Sequence, residues 1–129
     1  AWQGRRRFIV TADHGQVNAR KVPFDPSGRC RSLLECGVSL EGRTPALIAR
    51  GGVELSDVRA AWAAEGLAED FALLTVDEID ALELFGPAPM SSRLREVLGG
   101  ERALIGLTPG PGAVWDEGKF MPGQHGGGV

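Results

Sequence analysis

Between residues 44 and 107 the chain alternates short apolar runs with segments of helical period, and this alternation limits the fold more than any other feature. Residues 44–50 read as a strand. Ser56 supplies a helix N-cap, Val58, Ala61 and Trp62 share one helical face, and Gly66 ends the helix. Residues 71–76 read as a second strand. Thr75 and Glu78 then have the spacing of a capping box. The helix they open turns Ile79, Leu82 and Phe85 inward and Asp77, Asp80 and Glu83 outward, until Gly86-Pro87 stops it. The acidic stripe reads as a solvated face, not a catalytic pair of carboxylates. Ser91 or Ser92 opens another helix with Leu94, Val97 and Leu98 on one side, closed by Gly99, and residues 102–107 form a third strand. The strand–helix–strand order predicts a right-handed crossover with parallel strands, and the expected class is α/β.

A chain of 129 residues fits one domain, and 43% hydrophobic with 24% charged residues is an ordinary globular composition. The formal net charge of −3 implies no general attraction to nucleic acid, and no apolar run is long enough to span a bilayer. Residues 20–43 read as loop-rich, with Pro23, Pro26, Gly28, Gly37 and Gly42, and with a short helical turn near Leu33 and Leu34. Cys30 and Cys36 lack the spacing of a zinc knuckle, so they are expected as reduced, structural thiols, which favours the cytoplasm. After the third strand come a proline-glycine turn at 108–112, a short strand at 113–115 and a tail ending in three glycines before Val129.

The chemistry-bearing residues lie near the two ends. Residues 6–12 form a short apolar, β-branched run that reads as a buried strand, and it ends in Asp13-His14-Gly15. Neighbouring side chains on an extended strand point to opposite faces, so Asp13 and His14 can share one metal only where the chain turns, a freedom Gly15 provides. The place suits a ligand, since open α/β sheets gather ligands beyond the carboxyl ends of their strands. A carboxylate and an imidazole suit zinc, and also manganese or iron. A polar strand end without metal is the plain alternative. The other histidine, His125, sits between Gln124 and three glycines that let backbone fold tightly. The Arg5-Arg6-Arg7 cluster reads as a solvated strand entry. Gly-x-Ser-x-Gly, P-loop and dinucleotide fingerprints are absent, so no nucleophile motif stands in the chain.

Residues 8–16, Phe-Ile-Val-Thr-Ala-Asp-His-Gly-Gln, resemble the late metal-binding strand of the alkaline phosphatase superfamily, most of all its type I phosphodiesterase and nucleotide pyrophosphatase branch. Residues 123–127, Gly-Gln-His-Gly-Gly, resemble the final metal-binding motif of that branch, and residues 43–50 and 74–86 look like the inserted region of its bacterial members. The resemblance implies a metal-dependent phosphoester hydrolase with two divalent ions, zinc first and manganese second. Asp13 and His14 would bind the ion that touches the nucleophile, and His125 the other. It implies core strand and metal loop at 1–42, an inserted α/β subdomain at 43–107 and a return segment at 108–129, together a fragment of a central, mainly parallel sheet. The substrate would be a small phosphate ester or nucleotide. The family's threonine or serine nucleophile and remaining ligands precede this segment, so the chain by itself is expected to be an inactive piece of a longer enzyme. Phosphomonoesterase, sulfatase and phosphoglycerate mutase activities belong to the same superfamily, although the mutases usually place Asn where this chain has Gln16. A non-catalytic metal-binding or interaction module is the rival reading.

Overall fold

The computed structural model of the chain describes residues 17–115 and 123–124. The chain runs through β1 (Val17–Asn18), β2 (Arg20–Pro23), a short helix α1 (Arg29–Leu33), and the hairpin of β3 (Ser39–Glu41) and β4 (Thr44–Ile48). Then follow α2 (Leu55–Ala64), a 3₁₀ turn (Leu67–Glu69), β5 (Ala72–Thr75), α3 (Val76–Ala81) and α4 (Ser92–Val97). A second 3₁₀ turn (Gly100–Arg102) leads into β6 (Ala103–Leu107), β7 (Gly112–Trp115) and β8 (Gly123–Gln124). The class is α/β, as the alternation of periods requires. The strand expected over residues 6–12 lies outside the described residues.

The larger sheet has the order β3-β4-β6-β5, every neighbour antiparallel. β4 and β5, joined through α2, both run against β6 and are therefore parallel to one another, but they are not neighbours: β6 lies between them. Burial explains the insertion. Ala103, Leu104 and Ile105 of β6 are all buried, the pattern of a strand covered on both faces, whereas Ala72 of β5 is exposed and suits an edge. β6 also meets β4 closely, since a Cβ on Gly106 would lie 2.7 Å from Pro45 Cγ. The boundary expected between residues 42 and 43 falls in the turn of the β3–β4 hairpin.

A second, parallel ribbon is formed by β2 and β7, with Arg20 opposite Gly112 and Val22 opposite Val114. The hairpin turn ties it to the larger sheet: Val114 N donates to Gly42 O at 2.8 Å, and Arg43 Nη1 donates to Gly110 O at 2.7 Å. The two sheets share one core. Val58, Ala61 and Trp62 of α2 pack with Val22, Phe24, Leu47, Phe71, Leu104 and Val114. Trp62 lies against two rings, Phe24 with centroids 6.1 Å apart and Phe71 edge-on at 5.9 Å. Burying each large apolar side chain contributes about 1.5–3 kcal/mol.

The helices follow their local chemistry with four corrections. The capping box at Thr75 and Glu78 is formed, and Gly66 and Gly99 adopt the left-handed conformation at the ends of α2 and α4. Ser91 caps α4 by accepting from Leu94 N. Ser56, however, lies inside α2, whose N-cap is Glu54. Helix α3 stops at Ala81, so Leu82 and Phe85 are exposed instead of inward, because Glu83 with φ 54° turns the chain out of the helix. Val97 is exposed as well, and Asp80 is not a free solvated acid: it accepts from Met90 N at 2.7 Å and pairs with Arg95. Among the described residues no helix is long and apolar enough to cross a membrane.

Candidate metal centre

Asp13, His14 and His125 lie outside the described residues. β1 begins three residues after His14, and β8 ends at the residue before His125. These two short strands pair with each other, antiparallel, with Val17 opposite Gln124 and Asn18 opposite Gly123. In an antiparallel pair the start of one strand lies beside the end of the other. Val17, the first described residue after Asp13-His14, and Gln124, the residue before His125, therefore lie side by side at one end of one ribbon.

That ribbon is anchored to the core. Only Ala19 separates β1 from β2, and β2 is held against β7 by the ladder and by Arg20 N donating to Pro111 O at 2.7 Å. Arg20 also pairs with Asp70 after the 3₁₀ turn that follows α2. The parts meet closely at Gly112, where a Cβ would lie 3.1 Å from Asp70 Oδ1 and 3.2 Å from Val22 Cγ2. Val22 and Val114 are buried in the shared core, while Val17 and Asn18 face solvent. The buried part of each strand fixes the register, and the exposed part projects beyond it.

Neither β1 nor β2 was legible in the sequence, where residues 20–43 read mainly as loop. A strand of two residues has no alternation to read, and β2 ends on Pro23, which has no N–H for a ladder. The usable signal was Lys21-Val22-Pro23-Phe24, a short stretch with apolar residues two apart.

Among the described residues no group of three or more His, Cys, Asp or Glu side chains is placed to hold an ion. Both cysteines are free thiols. Burial, and then the Glu65 carboxylate, push the Cys30 thiol up to about 12, which holds it protonated at neutral pH. Glu65 instead accepts from Cys30 N at 2.8 Å and caps α1 from across the helix interface. A cleft of about 400 Å³ is lined by Leu55, Thr75, Asp77, Ser92, Arg95 and Glu101. Arg95 is held by Asp77 and Asp80, and the Met90 N–H, then Arg95, keep the Asp80 carboxyl below its ordinary value. Comparison of the chain with protein families, with curated proteins and with solved structures gave no match.

Proposed function

We propose that this chain is part of a metal-dependent phosphoester hydrolase of the alkaline phosphatase superfamily, in its phosphodiesterase and nucleotide pyrophosphatase branch. Asp13, His14 and His125 are its contribution to a two-metal site. The observation that carries the reading is the β1–β8 pairing, which brings the approaches to two motifs from opposite ends of the chain to the same place. A residue spans at most about 3.6 Å of chain, and paired strands lie about 5 Å apart. With His14 three residues from Val17 and His125 next to Gln124, that pairing supports a shared site for the two motifs.

The donor set fits the ions implied. One carboxylate and two imidazoles are hard-to-borderline ligands that suit zinc, with manganese as an alternative. Divalent ions in such a site lower the pKa of an attacking oxygen and offset charge on the phosphoryl oxygens. The part of this chain is narrower. Asp13 supplies a negative oxygen donor, His14 and His125 supply neutral nitrogen donors, and Gly15 and Gly126–128 let the backbone come close. The nucleophile comes from residues upstream of these, so the substrate, a small phosphate ester or nucleotide, is turned over by the longer enzyme.

Zinc uptake tests the assignment directly. Equilibrium dialysis of the chain against zinc is expected to show binding that weakens at least tenfold in His14→Ala and in His125→Ala. No uptake, or equal uptake by all three proteins, overturns it. In the protein extended by its upstream reading frame, aryl phosphodiester hydrolysis should disappear on chelation and return with zinc. Turnover that survives chelation would contradict the mechanism.

A further inference from the structure

Among the described residues β5 is an edge strand, bonded to β6 on one side only. Its sequence makes an open edge hazardous. Residues 71–76, Phe-Ala-Leu-Leu-Thr-Val, are uncharged and contain neither proline nor glycine, the composition of segments that add strand to strand.

The ladder decides which groups face outward. Ala49 N donates to Arg102 O at 2.9 Å, so in the β4–β6 register Arg102, Leu104 and Gly106 turn their backbone groups toward β4. Ile105 and Leu107 then turn toward β5, where they face Leu74 and Ala72. Leu73 and Thr75 are left with their N–H and C=O groups on the open side.

A single ion pair meets these groups. Arg59 of α2 donates through Nη2 to Leu73 O at 3.1 Å, and Thr75 N donates to Glu78 Oε2 at 2.6 Å. Arg59 Nη2 and Glu78 Oε2 also hold each other. A carbonyl and an amide two residues apart thus find a donor and an acceptor in the places where an added strand would offer its own. The two side chains are 40% and 45% exposed, so they sit where such a strand would arrive. An ion pair this exposed adds little stability, and its consequence lies in its position.

We infer that the Arg59–Glu78 pair closes the open edge of β5 against strand addition by a second copy of this chain. The same edge on a second copy is the fitting occupant, because a two-fold rotation brings the uncharged run against itself as an antiparallel pair. This holds whether or not the hydrolase reading does. The test compares native protein with Arg59→Met, which keeps the stem over the sheet and removes the guanidinium. Sedimentation equilibrium should show the variant's average mass rising toward twice the monomer with concentration. At the high end of that range, exchange of the outward Leu73 amide should slow at least tenfold, and native protein should show neither change. A folded variant that keeps the native mass overturns the inference, as does association that leaves Leu73 exchange unaltered. If circular dichroism finds Arg59→Met unfolded, Arg59→Gln is judged by the same two readouts.

Discussion

At Glu83 the backbone enters the left-handed region, with φ 54°. The two bonds around it, Glu83 N to Asp80 O at 3.0 Å and Leu84 N to Ile79 O at 3.3 Å, are those of a Schellman motif, which closes α3. α2 and α4 use glycine at the equivalent place, Gly66 and Gly99, and both stops were legible in the sequence. The third helix puts a residue with a Cβ there, and reading failed at that point: with no glycine to mark the end, the helical pattern was carried on to Leu82 and Phe85. Glu83→Gly should therefore stabilise the chain by about 0.5–1 kcal/mol, the left-handed penalty less glycine's larger entropy loss on folding. Urea unfolding measures it. A lower midpoint in the variant would mean that the Glu83 side chain makes a contribution outweighing its backbone strain.

Elements meet here through carboxylates. The Glu78 carboxylate takes Thr75 N and Arg59, and so joins the start of α3 to α2 across the edge of β5. Asp80 takes Met90 N and Arg95, and so fastens the segment between α3 and α4. The capping box was readable because its chemistry is local, three residues apart. The partners Arg59 and Arg95 were not, because no spacing tells which arginine reaches across an interface. Glu78 is held below its ordinary value of 4.5, chiefly by the Thr75 N–H and then by Arg59. Since the folded value is depressed, its contribution is fully present above the ordinary carboxylate range and is lost as pH falls through the folded value. Glu78→Gln should accordingly melt below native protein at pH 7, and the gap should narrow as pH is lowered past about 4. A gap that stays constant down to pH 3 would show that the amide serves as well as the carboxylate, and that charge plays no part.

Across the whole molecule, one core connects the α/β layer to the ribbon that leads to the candidate metal ligands. Phe24 follows β2 directly, and its ring lies against Trp62 of α2. The local part of this arrangement was legible: the α2 face of Val58, Ala61 and Trp62. The connection was not, because the β1–β8 pairing joins two-residue strands separated by most of the chain, and loop closure over such a distance leaves no local trace. If this connection positions the ligands, a change in the core at Phe24 should weaken metal binding. Phe24→Ala removes a buried ring and should cost about 3–5 kcal/mol, a large share of the stability of a domain this size. Because Val22, Trp62 and Val114 belong to the same cluster, the near-ultraviolet signal of the tryptophans and the far-ultraviolet signal should fall together in one transition at lower temperature. Phe24→Leu keeps more of the volume and should stay folded at 25 °C while its ribbon is less firmly seated, so its zinc affinity should fall relative to native protein. Native affinity in a folded but destabilised Phe24→Leu would mean that the ligands are held by contacts of their own and that the path through β2 and β1 does not position them.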